Sequence, residues 1–484
     1  MSRIEEALKD SQVKRDQRAG KAKKAKPQKE HPWRDNIEAI TMAIVMAVFL
    51  KYFIVEAYKI PTGSMQPTLM GNADTGIFDR ILVDKLSYHF REPERWEVAV
   101  FKYPLDRSKN FIKRIWGMPE EELKIENGDV FRRPDEDSPW AILRRPDPVQ
   151  EECWRALTHA GNWRFDRRSE GWKESDSGIA GAGPGSARFP RARHSITDSY
   201  YDGYPPGMVK NIKRPPRVSD RNEVGDVRIR ARIQAEPACT SVNLDIQEGL
   251  RRYRLAIPGP AAVEGELLRV EVTDAAGQVE DRIVPANSAL RLAAGRDMRV
   301  MFQNLDDQLT VEIGGEQLLE VEIAAIERAS SSISLVTDGA GASFEELRID
   351  RDIYYTSQNA KKAHWKIPED SYVVLGDNTQ DSADSREWTL SGYEVHSGEF
   401  AGTTLRGNKR QRENPMIVRG SEGGPEIYFH DEWGERRHFK STEALQRTFP
   451  EEPFVTRELI TGRALVVFWP FSPRMGVYRL KWVR

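Results

Sequence analysis

Cysteine and long hydrophobic runs are both scarce in this sequence. The 484 residues include two cysteines, Cys153 and Cys239, which are too few for a disulfide framework and lack the spacing of a metal site. The sequence leaves open whether these two thiols pair. Hydrophobic residues make up 39% of the chain and charged residues 31%. This balance excludes a polytopic membrane protein and favours a mostly water-soluble chain of two or three domains.

The formal net charge of -2 hides a basic N-terminal segment. Residues 1–35 carry eleven Lys and Arg against six acids, so the remainder is mildly acidic. A basic run is typical of contact with nucleic acid or with an anionic membrane surface. The apolar segment that follows favours the membrane, and no nucleic-acid partner is predicted. The Lys-rich composition of residues 1–35 predicts a cytoplasmic tail without stable structure.

Residues 36–57 are predicted to form a transmembrane anchor. The uninterrupted apolar run is Ala39–Leu50, and it reaches spanning length only when it includes Lys51. Lys51 lies near one end, where its side chain can extend to the interface, and Tyr52 suits the interfacial belt. A buried core helix and a cleaved signal peptide are the alternatives. Because positive charge precedes the segment, the tail is expected in the cytoplasm and the rest on the outer face.

Ser64 lies just after this anchor, in the turn-rich stretch Tyr58–Leu69. A serine hydroxyl is a weak nucleophile and needs an adjacent base. None of the eight histidines lies in a recognisable triad setting. A lysine can serve if burial lowers its pKa, and Lys113 fits because apolar residues flank it in the strand-like run Phe111–Trp116. Lys85 is the rival base in a second strand-like run.

Short runs of β-branched and aromatic residues separated by polar turns dominate the chain beyond the anchor, which predicts a mostly β protein. Asp226–Ile233 alternates strictly between polar and apolar residues, and similar strands continue to about Tyr355. Such spacing predicts an inserted β-sandwich. In pattern, Asn304–Gly315 and Ala342–Ile349 resemble the concanavalin-like jelly rolls of laminin-G and related carbohydrate-binding modules.

Four segments together resemble the ordered sequence boxes of the type I signal peptidases. They are Tyr52–Leu69 with the serine, Asp79–Ser87, Phe111–Pro119 with the lysine, and Gly376–Arg386. Each box alone is a weak signal, but four in family order behind an apolar segment form a specific match. The resemblance implies a membrane-anchored serine endopeptidase with a Ser-Lys dyad, which removes signal peptides from exported preproteins.

The resemblance also assigns roles to individual residues. It implies that Ser64 is the nucleophile and Lys113 the general base. The hydroxyl of Thr62, where many relatives have serine, is implied as an oxyanion donor, and Ser382 as the group that orients the lysine amine. The resemblance further implies that Asp384 and Arg386 form an ion pair that braces the last box. It also implies that Ile60, Phe111 and Ile112 line a shallow pocket that selects small residues in an A-x-A-like pattern.

The expected fold is a signal-peptidase-type β catalytic domain with one N-terminal transmembrane helix and a large inserted, jelly-roll-like β-sandwich. The predicted divisions are a tail (1–35), an anchor (36–57), the first catalytic part (58–131), a loop-rich insert (132–225), the β-sandwich insert (226–356), the second catalytic part (366–392), a polar irregular insert (393–455) and C-terminal catalytic strands (456–484).

The expected location is the inner (plasma) membrane, with a single pass, a cytoplasmic N-terminus and the catalytic domain on the outer or periplasmic face. The predicted partners are signal peptides of preproteins and the lipid bilayer, together with a glycan or protein for the sandwich. No cofactor or metal is predicted.

One alternative is an inactive anchored protein that presents the sandwich as a binding module. The other is a self-cleaving Ser-Lys regulator, but the DNA-binding domain and the scissile small-residue pair typical of that class are not evident.

Overall fold

The computed structural model consists mainly of β-strands, as the sequence predicts. It describes residues 32–157, 162–167, 169–175, 177–191, 195–204, 212, 222–285, 287–326, 330–356, 363–409, 414–420, 424–449, 453–472 and 477–484. Most of the predicted tail therefore lies outside the described residues. Cys153 and Cys239 are both buried free thiols, so they do not pair with each other.

The apolar segment forms helix α1 (Pro32–Phe49), which continues as a π-helix over Leu50–Ile54. Within it, the 19 residues Asn36–Ile54 have a mean hydropathy of 2.0, so this helix is long and apolar enough to cross a membrane. The helical region ends before the predicted residue 57, because a β-strand begins at Val55. The helix forms a compact unit distinct from the unit that starts at Glu56.

The first part of the second unit contains short strands around two long ones. The strands are β1 (Val55–Lys59), β2 (Gly71–Asn72), β3 (Ile77–Phe78), β4 (Arg80–Asp84), β5 (Val98–Tyr103), β6 (Asp106–Gly117), β7 (Glu122–Glu126), β8 (Asp129–Arg133) and β9 (Ala141–Ile142). β5 and β6 pair antiparallel, and β6 carries the strand-like run that the sequence predicts around Lys113.

A β-sandwich follows helix α2 (Asp147–Cys153). Its strands are β10 (Arg155–Ala156), β11 (Arg164–Phe165), β12 (Lys173–Glu174), β13 (Gly178–Ala180), β14 (Gly185–Phe189), β15 (Val227–Ala235), β16 (Ser241–Glu248), β17 (Arg251–Pro258), β18 (Arg269–Thr273), β19 (Val279–Ile283), β20 (Met298–Leu305), β21 (Gln308–Ile313), β22 (Glu316–Glu322), β23 (Ser331–Asp338) and β24 (Ala342–Arg351).

The two sheets of the sandwich share one hydrophobic core. One sheet has the order β12-β13-β24-β15-β20-β21-β22, with β10 on β24, and the other β11-β14-β23-β16-β17-β18-β19. Alternate residues of each strand face inward, so Ile229 and Phe302 of the first sheet join Leu244 and Leu335 of the second in one buried cluster, and these four side chains have no exposed surface.

Strands β10–β14 fall in residues 132–225, for which the sequence predicts mainly loops. They join both sheets of the sandwich, for example through the antiparallel pairing of β14 with β23. Each is only two to five residues long. A strand of that length carries too little alternation to be recognised among Gly and Ser residues.

After the sandwich, the chain returns to the sheet that contains β5 and β6. The remaining strands are β25 (His364–Lys366), β26 (Ser371–Leu375), β27 (Leu390–Val395), β28 (Thr404–Asn408), β29 (Met416–Arg419), β30 (Pro425–His430), β31 (Arg436–Lys440), β32 (Ala444–Thr448), β33 (Val455–Thr456), β34 (Ile460–Trp469), β35 (Phe471–Ser472), β36 (Val477–Tyr478) and β37 (Lys481–Trp482). Short 3-10 turns cover Ser87–His89, Thr379–Asp381, Ser441–Glu443 and Arg457–Leu459.

The central sheet has the order β1-β4-β34-β5-β6-β26-β33, with β37 on β34. β6 therefore lies between β5 and β26, strands that are 268 or more residues from each other along the chain. Residues 393–455, predicted as irregular, contain antiparallel strands in two small sheets, β28-β27-β32 and β29-β30-β31. Some of their outward residues are apolar, such as Ile417 and Leu445, which breaks the polar and apolar alternation expected of a strand.

Three carboxylates meet where β8 lies against the sandwich. Ligand oxygens of Asp129, Asp226 and Asp306 all lie within 4.8 Å of one another, and among the described residues only this group is arranged so that it could hold a metal ion. Burial, followed by repulsion from neighbouring carboxylates, raises the pKa of Asp129 and Asp226 well above the usual range. Burial likewise raises the pKa of Asp306 to about 7.

Because the pKa values of these carboxyls are raised in the folded protein, the protonated groups stabilise the fold at acid pH. This stabilisation is lost as the pH rises through the folded-state pKa values. We therefore expect Asp226→Asn to raise the melting temperature at pH 8 in the presence of a chelator. The gain should correspond to roughly 1 kcal/mol or more, since one pKa unit is about 1.4 kcal/mol. It should shrink towards pH 4, where the native carboxyls are protonated.

The exposed residue Asp281 provides the matched control, and Asp281→Asn should leave the melting temperature nearly unchanged at both pH values. A melting temperature for Asp226→Asn that falls at pH 8, or a gain that is equal at pH 4 and pH 8, would contradict the repulsion among the three carboxylates.

Candidate active site

Ser64 lies in a tight loop that follows β1. Its side chain is nearly buried, with 8% of the residue exposed. The loop is held by its own backbone hydrogen bonds, from Gln66 N to Gly63 O at 3.1 Å and from Leu69 N to Met65 O at 2.8 Å. These bonds fix the backbone on both sides of the serine, so its hydroxyl is presented from a rigid turn.

Lys113 reaches this hydroxyl from the middle of β6. Its Nζ donates to Ser64 Oγ at 2.8 Å and to the carbonyl of Ile112 at 2.9 Å. The residue is 4% exposed. Burial lowers the pKa of Lys113 from 10.5 to about 8, although the nearby carboxylates of Asp384 and Asp377 oppose this shift. The geometry therefore places a hydroxyl in contact with an amine that is readily deprotonated.

The two carboxylates that raise the pKa of Lys113 most each form an ion pair with an arginine. Arg114 donates Nε and Nη2 to the two oxygens of Asp377 at 3.0 and 2.8 Å, and neither side chain is exposed. Arg386 binds Asp384 in the same two-pronged way at 2.9 and 2.8 Å. Burial opposes both charges, but the arginines hold the pKa of Asp377 and of Asp384 below the usual range.

The ion pair of Asp384 and Arg386 is thus present as the resemblance implied, and it braces the last box. Asp384 accepts a hydrogen bond from the backbone N–H of Gly376 at 2.9 Å. Arg386 also donates to the carbonyl of Thr356 at 3.1 Å and to the hydroxyl of Thr379 at 3.0 Å. These bonds connect both ends of the 376–386 loop and fix it beside β6.

The loop of Ser64 and the loop after β26 are bonded directly to each other. Asn378 donates its backbone N–H to Ser64 O at 3.1 Å and its Nδ2 to Gly63 O at 3.0 Å. Thr68 Oγ1 donates to Asp377 Oδ2 at 2.5 Å. The position of the serine therefore depends on residues more than 300 positions further along the chain.

Ser382 lies beside these loops, but its hydroxyl does not bond to Lys113. Ser382 Oγ is buried, and its interaction with the Asp384 carboxylate contributes to the lowered pKa of that acid. A Cβ on Gly376 would lie 2.1 Å from Ser382 Oγ and 2.5 Å from Ser64 O, so both oxygens border the same small space and only glycine fits there. The predicted orienting role of Ser382 stays a prediction.

The three predicted pocket residues do not lie on one face of the sheet. Ile60 and the half-buried Ile112 belong to one hydrophobic cluster, together with Ile81 and Val83. Phe111 packs on the opposite face, because neighbouring residues of a strand point in opposite directions. Its ring stacks on Tyr103 at a centroid distance of 4.3 Å.

Phe111 nevertheless borders the dyad, because its ring centroid lies 5.6 Å from Lys113 Nζ. It also lines a cavity of about 520 Å³ between the β5–β6 hairpin and the small sheet of β29–β31, with Met416 and Tyr428 on the far wall. Thr62 is exposed at the start of the serine loop. Lys85, the rival base, forms an ion pair with Glu56 at 3.5 Å.

Residues from the insert also contact the serine loop, and no sequence motif identified them. Arg155 Nη2 donates to Gln66 O at 2.6 Å and to Asp377 O at 3.1 Å. Tyr204 Oη donates to Gln66 Oε1 at 2.5 Å. The position of Arg155 directly after a short helix offers no signal in the sequence, since an arginine there is usually solvated.

Comparison with known proteins identifies the same region. The family described as "Signal peptidase, peptidase S26" matches residues 33–136 and 304–405. "Probable signal peptidase I-2" of Synechocystis is 37% identical over 116 residues, which are 23% of this chain and 50% of that protein. "Signal peptidase I" of Leptolyngbya laminosa is 35% identical over 115 residues, 22% of this chain and 53% of that protein.

The chain thus spans about half the length of the curated relatives it matches. Among solved structures, the carbohydrate-binding module CBM66 of Bacillus subtilis is similar over 38% of this chain and 93% of its own length, with 9% identity and a TM-score of 0.25.

Proposed function

Because the chain carries a signal peptidase domain of the Peptidase S26 family, we propose that it is a membrane-anchored serine endopeptidase that removes N-terminal signal peptides from exported preproteins. The single observation that supports this function best is the 2.8 Å contact between Ser64 Oγ and the buried Lys113 Nζ. A nucleophile bonded to a base of lowered pKa is the arrangement that acyl transfer requires.

In the proposed reaction, neutral Lys113 removes the proton of Ser64 as Oγ attacks the scissile carbonyl. The backbone N–H of Ser64 and the hydroxyl of Thr62 stabilise the oxyanion. Collapse of the tetrahedral intermediate breaks the C–N bond, and the Lys113 ammonium gives its proton to the leaving amine. The signal peptide is then esterified to Ser64. Lys113 next deprotonates a water that hydrolyses the ester, and the proton returns to Oγ.

The substrate preference is proposed from the apolar surface around the dyad. Ile60 and Ile112 lie in one cluster near the serine loop, and the Phe111 ring centroid lies 5.6 Å from Lys113 Nζ. We expect cleavage after small residues in an A-x-A-like pattern. In this proposal Ser382 orients the lysine amine, which is supported by the position of its buried hydroxyl between Ser64 O and Asp384.

The proposed location follows from helix α1 and the charge of the tail. Asn36–Ile54 is long enough to span, and eleven basic residues precede or begin it. The positive-inside rule places the tail in the cytoplasm and the catalytic domain outside. For the sandwich, the prediction of a glycan or protein ligand stands; a polar cavity of about 370 Å³ on its second sheet, lined by Arg188 and Arg252, offers donors to such a ligand.

The dyad is tested by single substitutions in the full chain, assayed on a preprotein in detergent or vesicles. Ser64→Ala and Lys113→Ala should each lower cleavage at least ~10³-fold, because removing either member of a nucleophile–base pair disables the other. The melting temperature should show that both variants fold. The exposed Ser108 and the rival Lys85 supply the controls, and Ser108→Ala and Lys85→Ala should retain most activity. Undiminished cleavage by Ser64→Ala would refute the mechanism.

The pH dependence of kcat/KM tests the protonation state of the base. Lys113 must be neutral to accept the proton, and burial places its pKa at about 8. Activity should therefore rise by about tenfold per pH unit below this value and level off above it. A peptide substrate without ionisable side chains, assayed from pH 6 to pH 10, isolates this titration. A midpoint near 10.5, the value of an ordinary lysine, would show that the amine is not buried.

A further inference from the structure

Arg155 connects the inserted sandwich to the candidate active site. It lies in β10, the short strand that pairs with the end of β24 and so belongs to the sandwich. Its Nη2 donates to Gln66 O at 2.6 Å and to Asp377 O at 3.1 Å. Gln66 follows Ser64 by two residues, and Asp377 lies in the loop after β26. One side chain of the insert therefore bonds to both loops that surround the dyad.

Burial of this arginine is costly, which makes its contacts informative. Arg155 is 3% exposed, and its guanidinium donates to the backbone carbonyls of Gln66 and Asp377. Burial, followed by repulsion from Arg351, lowers the pKa of Arg155 to about 10. A buried charge without a partner is strongly unfavourable unless hydrogen bonds compensate for it. Here the compensation comes from backbone carbonyls of the two loops.

A neighbouring segment of the insert supports the same contact. Tyr204 Oη donates to Gln66 Oε1 at 2.5 Å, and Asn72 Nδ2 donates to Tyr204 Oη at 3.1 Å. The segment itself is fixed to β24, because Arg351 binds Asp202 at 2.6 Å and Ser199 O at 2.9 Å. Gln380 Nε2 also donates to the backbone of this segment, at Asp198 O. The insert thus holds both catalytic loops from one side.

We infer that Arg155 is a positioning residue of the active site and that the insert, through Arg155 and Tyr204, fixes the loop of Ser64 against the loop of Asp377. This inference rests on the proposed function, and it gives the insert a part in catalysis. Ser64 and Lys113 belong to separate elements, so the 2.8 Å contact between them requires that the serine loop be held. Displacement by about 1 Å is enough to cost about 10²-fold in rate.

The test compares Arg155→Met and Arg155→Lys with a matched arginine elsewhere in the sandwich. Arg269 is half-buried in β18 and donates to Glu271 Oε1 at 2.8 Å, so Arg269→Met removes an arginine side chain from the same insert without touching either loop. Arg155→Met should lower kcat about 10²-fold with little change in KM. Arg155→Lys should recover part of the loss, because the ammonium keeps a donor. Arg269→Met should behave as wild type.

Two further readouts separate a positioning role from a general loss of stability. The midpoint of the pH–kcat/KM profile should move above about 8 in Arg155→Met, since a displaced loop admits water to Lys113. Amide hydrogen exchange of the peptide that contains Met65–Leu69 should accelerate in Arg155→Met and not in Arg269→Met. Exchange needs no activity, so it tests the inference even when the proposed peptidase function fails.

Tyr204→Phe covers the case in which Arg155→Met does not fold. It removes one hydroxyl from the same contact and should lower kcat severalfold and accelerate exchange in the serine loop. Wild-type kcat, pH midpoint and exchange in a folded Arg155→Met would overturn the inference. If Arg155→Met does not fold, wild-type values for Tyr204→Phe would overturn it. If Ser64→Ala abolishes cleavage while Arg155→Met and Tyr204→Phe cleave as the wild type does, the proposed function stands and only the role of Arg155 is refuted.

Discussion

The arrangement of charges around Lys113 is the constraint on which the site depends. In the proposed mechanism its amine must be neutral, yet three carboxylates, those of Asp384, Asp377 and Asp381, act on it and favour the charged form. Arg386 and Arg114 form ion pairs with the first two. Burial nevertheless has the largest effect and lowers the pKa of the lysine.

These ion pairs explain why so many polar residues are buried around one strand. Arg114 directly follows Lys113 in β6, so consecutive residues of a strand direct an amine to one face and a guanidinium to the other. The guanidinium binds Asp377, and that aspartate also accepts from Thr68 of the serine loop. The same ion pair therefore lies beside Lys113 and connects the serine loop to the loop after β26. Arg155 adds a third connection, and it comes from outside the catalytic sheet.

The sequence identified the members of the site that lie in motifs and not those that depend on tertiary contacts. Ser64 and Lys113 could be paired before the structure was known, because each lies in a distinct box and a serine needs a base. The opposite orientations of Phe111 and Ile112 could also have been foreseen from strand alternation. Arg155 could not, because its two partners are backbone carbonyls, which leave no trace in side-chain patterns. The strands β10–β14 escaped prediction because each is too short to show a period.

In the proposed mechanism, Ser64 is activated by neutral Lys113 and forms a covalent ester with the signal peptide. Acid quenching during turnover of a preprotein, followed by digestion and mass spectrometry, measures this ester directly. The peptide containing Ser64 should carry the mass of the signal fragment in the wild-type protein and be unmodified in Lys113→Ala. Turnover with Ser64 unmodified and the fragment attached to a different residue would contradict this mechanism.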